Sequence, residues 1–237
     1  MHILLTNDDG IHAPGIQALQ HAVSQIPNCQ ISVVAPATEQ SMCAHRVNTR
    51  DPIQVEQLGE GRWAVDATPA DCVRIALFAL NIKPDWVLSG VNAGGNMGQD
   101  IVISGTFAGA REAAYHGIPA IAFSHYLIRE LAIDWSRISQ WTRDVFHSLQ
   151  GETLSDAEVW NVNFPHLPPG AIPMPSIQRC QPARAPLNVS FEMLESLEKS
   201  AISRHRYTAS YAERPRHPGS DVDVCFSGSI AVSKLCL

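Results

Sequence analysis

The sequence predicts an α/β fold built on a parallel central sheet, and three stretches near its start carry that prediction. Residues 2–5 form a short apolar run, which is typical of a strand buried on both faces of a sheet. Residues 14–26 repeat apolar side chains at helical spacing behind a proline suited to a first turn, and residues 31–35 form a second apolar run. A helix joining two such strands makes a right-handed βαβ unit, and the sheet is therefore parallel.

Later elements extend this pattern along the chain. Thr68 is a suitable N-cap for a helix that begins at Pro69, and Gly117 ends a helix of small residues. Further strands are expected at 53–55, 63–65, 85–89, 119–124, 159–164, 221–226 and 230–232, the last two as a pair, and further helices at 107–116 and 135–149. This order predicts a Rossmann-like three-layer core over residues 1–165. A β-rich C-terminal extension or oligomerisation arm is expected over residues 166–237.

Composition excludes several classes of protein. The 237 residues are 45% hydrophobic, which is ample for a packed core. The formal net charge of −6, without a long basic block, argues against nucleic acid as a stable partner and against a polybasic membrane anchor. No apolar run approaches the roughly 20 residues that a membrane span needs, and no signal-peptide pattern opens the sequence. We therefore expect a cytoplasmic protein with no membrane partner.

Cysteine and histidine patterns argue against a zinc centre. The six cysteines include no Cys-x-x-Cys pair, and the ten histidines include no His-Glu-x-x-His motif. Free thiols are therefore expected. Any metal ion here should be oxygen-bound, which favours Mg²⁺ or Mn²⁺.

Two adjacent carboxylates, Asp8 and Asp9, follow the first strand directly, between Asn7 and Gly10. In open α/β sheets ligands bind beyond the carboxyl ends of the strands, which is where this cluster lies. Neighbouring buried carboxylates repel one another unless a cation lies between them, so a divalent ion is the simplest partner. The alternative is a surface turn, because asparagine, aspartate and glycine are all turn residues.

A glycine-rich loop and a hydroxyl-rich helix start follow in the second half of the core. The loop at residues 89–98 contains four glycines together with Asn92 and Asn96, so it could direct backbone N–H groups to an anion or amide oxygens to a cation. Ser104, Gly105 and Thr106 then precede a helix of small residues, where free N–H groups and the helix dipole favour an anion. The alternatives are a flexible connection and ordinary helix capping. No dinucleotide fingerprint or P-loop is present.

Together these clusters predict metal-assisted transfer of a phosphoryl group to water, because carboxylates can bind the cation while the helix start binds the phosphate. One alternative is a phosphatase that forms an aspartyl-phosphate, although that chemistry normally uses Asp-x-Asp after the first strand. Another is a non-catalytic nucleotide-sensing module on the same scaffold.

Five motifs, in order, resemble the stationary-phase survival protein SurE family of nucleotidases over residues 1 to about 165. They are Asn7-Asp8-Asp9-Gly10-Ile11, Glu39-Gln40-Ser41, Thr68-Pro69-Ala70-Asp71, Ser89-Gly90-Val91-Asn92 with Asn96 and Asp100, and Ser104-Gly105-Thr106. The resemblance implies a divalent-metal-dependent 5'- and 3'-nucleotidase acting on nucleoside monophosphates. It also implies a homodimer or homotetramer built partly by exchanged C-terminal arms.

By position, the resemblance assigns roles to individual residues. Asp8, Asp9, Ser41 and Asn92 match the metal ligands, with Asp8 and Asp9 as the catalytic pair, and Asn96, Ser104, Gly105 and Thr106 match the phosphate-binding positions. The sequence departs from the family after Ser41, where small residues and a glycine are usual and residues 42–46 are bulkier. Arginines between 179 and 216 make the C-terminal part locally basic, and a solvated arm with ordinary surface arginines is the simpler explanation.

Overall fold

The computed structural model describes residues 1–170, 173–196 and 202–237, and its strands follow the predicted alternation with helices. The strands are β1 (His2–Thr6), β2 (Gln30–Pro36), β3 (Val55–Gly59), β4 (Arg62–Val65), β5 (Trp86–Ala93), β6 (Ala120–His125), β7 (Glu158–Phe164), β8 (Ile177–Arg179), β9 (Phe191–Ser196), β10 (Ser203–Tyr207) and β11 (Ile230–Cys236). The α-helices are α1 (Pro14–Ser24), α2 (Pro69–Arg74), α3 (Asp100–Ile103), α4 (Gly105–Tyr115), α5 (Trp135–Leu149) and α6 (Asp221–Phe226).

Within the described residues, nine strands form one sheet in the order β3-β4-β2-β1-β5-β6-β7-β11-β8. The strands from β4 to β7 run parallel, while β3 and β11 are antiparallel to β4 and β7. Chain order reverses at β1, which lies between β2 and β5. Such a switch point opens a crevice at the carboxyl ends of the strands. The predicted α/β, Rossmann-like fold is confirmed.

Helices cover both faces of this sheet, so the molecule has three layers. Strand residues alternate between the faces: Ile3 and Leu5 pack with α1 and α5, whereas Leu4 packs with α2 and α4. In the described ranges, no helix has the length and apolar character needed to cross a bilayer.

Strand β5 is longer than predicted, and this places Asn92 on a strand instead of in a loop. The strand was expected to end at Ser89, but it continues to Ala93 with a register shift that pairs Asn92 with Ser124. Gly90 permits this path, since its φ is +133° and a Cβ atom there would lie 2.2 Å from the carbonyl oxygen of Phe123. The position of Asn92 is therefore determined by the pairing of β5 with β6.

The predicted strand at 221–226 is wrong, because these residues form helix α6. Ser220 caps this helix by accepting a hydrogen bond from the Asp223 N–H (3.3 Å), and Asp221 and Asp223 occupy its first turn, where carboxylates favour a helix start. The alternation of polar and apolar residues that suggested a strand reflects burial of Val222 and Val224.

Part of the predicted arm, residues 166–237, belongs to the central sheet. Strand β11 pairs with β7 on one side and with β8 on the other, so the sheet continues past residue 165. Strands β9 and β10 form a separate antiparallel hairpin, which is the β-rich portion outside the sheet. Residues 171–172 and 197–201 of the predicted arm lie outside the described residues.

Candidate active site

Asp8 and Asp9 lie at the carboxyl end of β1, and each is tied to a neighbouring segment. Asp8 is 4% exposed, and its Oδ1 accepts a hydrogen bond from Thr106 Oγ1 (2.5 Å) at the start of α4. Asp9 is half-buried, and its Oδ2 accepts from the Ala93 N–H (3.0 Å) at the end of β5. The carboxylate pair therefore lies where β1, β5 and α4 meet.

Ser41 and Asn92, the other two predicted metal ligands, each adjoin a residue bonded to this pair. The Gln40 N–H donates to the carbonyl oxygen of Asp8 (2.7 Å), while the exposed Ser41 hydroxyl donates to Glu39 Oε1 (2.6 Å). The Asn92 Nδ2 donates to the carbonyl oxygen of Gly94 (2.8 Å), so Oδ1 is the amide atom suited to a cation. Three chain segments thus converge on one end of the sheet.

Burial and like charge both disfavour ionisation of the pair. Desolvation is the main cause that raises the pKa of Asp8 to about 6; the Asp9 charge adds to it, and the Thr106 hydrogen bond opposes it. Burial also raises the pKa of Asp9, with a further contribution from the Glu39 carboxylate and an opposing one from the Ala93 N–H. A cation between the two carboxylates would offset this cost.

The donor set fits a hard divalent cation. Two carboxylates, a hydroxyl and an amide supply oxygen, the atom that Mg²⁺ and Mn²⁺ prefer. Among the residues that the structure describes, no three His, Cys, Asp or Glu side chains group so as to hold a metal ion. Only two members of the proposed set belong to those residue types, so an oxygen-rich site of this composition is compatible with that finding.

The start of α4, where the sequence predicts an anion site, lies next to Asp8. Ser104 is the N-cap, and its hydroxyl accepts from the Phe107 N–H (3.0 Å). Gly105 lies so close to the carboxylate that a Cβ atom would be 2.9 Å from both Asp8 Oδ2 and Cys43 Sγ. The first-turn N–H groups and the helix dipole favour a phosphate at this position.

Replacing Gly105 with alanine is expected to disturb this junction with little effect on the remaining fold. The added methyl group would displace the Asp8 side chain from Thr106, and misplacement by about 1 Å can reduce turnover about 10²-fold. Phosphate release and thermal unfolding of Gly105→Ala would be compared with those of Gly151→Ala, where a Cβ atom meets nothing within 4 Å. Equal activity of the two variants would contradict the close contact.

Asn96 is placed differently from the other predicted phosphate-binding residues. Its backbone N–H donates to Asn163 Oδ1 (2.8 Å), and its side-chain amide donates to Ser124 Oγ (2.8 Å). Its carbonyl oxygen accepts from the side chains of Asn161 (2.9 Å) and Asn163 (3.1 Å). Asn96 thus fastens the glycine-rich loop to β6 and β7. One amide N–H is committed to Ser124, and a bound phosphate would use the second.

Glu112 on α4 joins the loop after Ser41 to two helices, an arrangement that the sequence did not reveal. Its carboxylate accepts hydrogen bonds from His45 Nε2 (2.7 Å), Arg74 Nε (2.6 Å) and His116 Nε2 (3.0 Å). Burial alone would raise the pKa of Glu112, but the three donors outweigh burial and lower it to about 2. The side chain, only 2% exposed, is therefore a buried anion that anchors the loop.

That loop contains two non-glycine residues in the left-handed region, Met42 (φ 56°) and Ala44 (φ 51°). Such residues are uncommon and need support from their surroundings. The Ala44 N–H donates to the carbonyl oxygen of Ile103 (3.0 Å), which fixes the turn against α3. Residues 42–46 are bulkier than the family's usual residues, and they nevertheless form a turn with a defined partner in α3.

A cavity of about 860 Å³ lies elsewhere, lined by residues that include Trp160, Arg179 and Lys234. It contains none of the predicted site residues, and Arg179 and Lys234 are already paired with Glu152 and Glu158. The carboxylate pair lies instead just after the carboxyl end of β1, where ligands are expected in this fold.

Comparisons with known proteins show which family the chain belongs to. The family model described as Survival protein SurE matches residues 3–185. A protein of Synechocystis sp. is 46% identical over 235 residues, covering 99% of both chains. The 5'-nucleotidase SurE of Paramagnetospirillum magneticum is 36% identical over 238 residues, covering 100% of this chain and 90% of its own. The crystal structure of the SurE protein from Aquifex aeolicus superposes with a TM-score of 0.85 at 29% identity, covering 100% of this chain and 93% of its own. The chain belongs to the SurE family.

Proposed function

We propose that the chain is a divalent-metal-dependent 5'-nucleotidase, which removes phosphate from nucleoside 5'-monophosphates and also from 3'-monophosphates. The observation that carries the proposal is the position of Asp8, which lies between a second carboxylate and the first turn of α4. Relatives from Paramagnetospirillum magneticum and Caulobacter vibrioides, both 36% identical, are named 5'-nucleotidase SurE, which supports the same activity here.

Asp8, Asp9, Ser41 and Asn92 are the proposed ligands of one Mn²⁺ or Mg²⁺ ion. When bound, such an ion neutralises phosphate oxygens and lowers the pKa of a coordinated water molecule. Asp8 is the more buried carboxylate, and its Oδ1 accepts a hydrogen bond from Thr106. Asp9 is more accessible and is the carboxylate that we assign to accept a proton from the attacking water.

The phosphate is proposed to bind at the start of α4. The first-turn N–H groups of Gly105 and Thr106 would face its oxygens, with the Ser104 hydroxyl and the Asn96 amide as further ligands. These groups stabilise negative charge as the bond to the ribose oxygen breaks. Because they lie on a helix start and a tied loop, they need little rearrangement during the reaction.

The β9–β10 hairpin is the proposed oligomer contact, giving a homodimer or homotetramer. An isolated two-stranded hairpin is marginally stable in water. This hairpin exposes a group of large apolar side chains, namely Phe191, Met193, Leu194 and Tyr207. A second copy of the chain would cover them.

The cytoplasmic location stays a prediction.

The test is phosphate release from a panel of nucleoside 5'- and 3'-monophosphates with Mn²⁺, with Mg²⁺ and with a chelator. We expect release with either metal, loss of release with the chelator, and recovery when metal is restored. Recovery separates metal dependence from unfolding. Binding of nucleotide without release under any condition would refute the enzyme and favour a sensing module. Phosphate trapped covalently on Asp8 or Asp9 would favour the aspartyl-phosphate route instead.

A further inference from the structure

Residues 94–98 are the part of the glycine-rich loop that remains after strand β5, and we call them loop 94–98. Several backbone groups of this loop are bonded to side chains that lie more than a hundred positions later in the sequence. Arg214 Nη2 donates to the carbonyl oxygen of Met97 (3.0 Å), and Asp221 Oδ2 accepts from the Gly98 N–H (2.8 Å). The Tyr211 hydroxyl lies 3.1 Å from the carbonyl oxygen of Gly95. Besides its contacts with β7, the loop therefore has partners in the segment that follows the β9–β10 hairpin.

Asp100 is the centre of this contact. Its Oδ2 accepts from the Tyr211 hydroxyl (2.7 Å), from Arg214 Nη1 (2.5 Å) and from the Met97 N–H (3.2 Å). Arg214 is 5% exposed, so its pair with Asp100 is an enclosed ion pair. Burial and the Asp100 charge both raise the pKa of Tyr211, so its hydroxyl keeps its proton and acts as a donor.

The loop held in this way is continuous with the candidate active site. Asn92 and Ala93 immediately precede it, and the Ala93 N–H binds Asp9 Oδ2. Asn96 lies within the loop and is fastened from its other side by Asn163. A displacement of the loop would therefore move a proposed metal ligand and a hydrogen bond that orients a catalytic carboxylate.

We propose that Tyr211 and Arg214 are positioning residues for the active site, acting through Asp100 and the backbone of loop 94–98. The inference deepens the proposed function and rests on it. It makes the segment after the hairpin part of the catalytic apparatus, with no direct contact between these two side chains and the substrate. It also changes the role expected for Arg214, which the sequence suggested was an ordinary surface arginine.

Tyr211→Phe is the primary test, because the tyrosine is 40% exposed and the change removes only the hydroxyl. We expect kcat to fall about 3- to 10-fold, the range of one net hydrogen bond, with KM changed less than about twofold. Hydrogen exchange should become faster at amides of residues 90–100. Tyr115→Phe is the matched control, since Tyr115 is 58% exposed at the end of α4 and lies outside loop 94–98 and its partners.

Arg214 provides a second test with its own control two residues away. Arg216 is exposed and packs over the Phe226 ring, so Arg216→Lys should leave kcat within about twofold of the native value. Arg214→Lys keeps the charge but loses the two-pronged contact with Asp100 and Met97, and should lower kcat about tenfold. Arg214→Ala should lower kcat further than Arg214→Lys does. The lysine would then count as a partial rescue of the alanine variant.

The readouts distinguish the ways in which the inference could fail. Unchanged exchange in loop 90–100 of Tyr211→Phe would show that the hydroxyl does not hold the loop. Faster exchange with unchanged kcat would show that the loop position does not matter for turnover. A rise in KM at constant kcat would indicate direct substrate binding by Tyr211. Each of these results overturns the inference while leaving native nucleotidase activity, and hence the proposed function, intact. Absence of turnover in the native chain would remove both.

Discussion

Replacing Asp9 with asparagine is expected to lower nucleotidase activity at least about a hundredfold while leaving the metal-free protein at least as stable as the native chain. The substitution removes the half-buried negative charge next to buried Asp8, and the repulsion and desolvation of these two charges oppose folding when no cation is bound. The asparagine Oδ1 can still accept the hydrogen bond from Ala93. Activity and stability should therefore change in opposite directions, as is common where a site carries unfavourable charge.

The expected loss in kcat/KM is about 10²- to 10⁴-fold, the range that a positioned acid–base group contributes. Phosphate release would be measured with saturating Mn²⁺, and thermal unfolding with and without the metal. Adding Mn²⁺ should raise the unfolding temperature of the native protein more than it raises that of the Asp9→Asn variant. Asp144 is a partly exposed carboxylate that pairs with Arg143. The variant Asp144→Asn is therefore the control for general charge effects. An active Asp9→Asn variant, or one that unfolds without metal, would contradict the assigned role.

Glu112→Gln is expected to destabilise the fold at neutral pH, although Glu112 is not one of the residues proposed to bind the metal or the phosphate. The change leaves His45 and Arg74 without their buried anionic partner. Depression of the Glu112 pKa from 4.5 to about 2 corresponds to about 3 kcal/mol. The partners are partly exposed and therefore screened, so we expect a loss of about 2 kcal/mol in the free energy of unfolding.

The pH dependence of this loss follows from the direction of the pKa shift. Because the folded-state pKa lies below the unfolded value, the contribution of Glu112 is fully present above about pH 4.5 and is lost as the pH falls toward about 2. Urea unfolding curves of the native chain and Glu112→Gln should thus differ at pH 7 and converge in this acidic range. Glu152→Gln, in an exposed pair with Arg179, should change stability by less than about 0.5 kcal/mol. A pH-independent difference would refute the electrostatic explanation.

Helices and strands whose residues show one clear pattern could be predicted from the sequence. Residues 221–226, which were wrongly predicted as a strand, show two competing patterns. Helix α5 occupies the predicted residues 135–149 because its apolar spacing is long and regular. Residues 221–226 alternate like a strand, yet Ser220 and the two following aspartates also form a helix start. The helix start prevailed, and Val222, Val224 and Cys225 are all buried in the helix as well, so the helix buries the apolar residues that alternated like a strand. The extension of β5 depended on Gly90, whose conformation is not visible in a sequence.

Site residues divide in the same way. Asp8, Asp9 and the Ser104–Thr106 turn adjoin recognisable element ends, so spacing alone indicates them. Arg214 could not be distinguished from its exposed neighbours, because its partner Asp100 is brought to it only by the tertiary fold. Asn161 and Asn163 did offer a signal. Two amides on one face of an otherwise buried strand require hydrogen-bond partners, and these lie at Asn96.

The insertion of β11 between β7 and β8 has a consequence for biosynthesis. While the ribosome is still translating residues 165–229, β7 has no partner on its outer side and offers a row of unpaired N–H and C=O groups. Nascent chains at this stage can pair with one another through that edge instead of waiting for residues 230–236. We therefore expect chaperone demand and yield during expression to depend on a strand that lies outside the candidate active site.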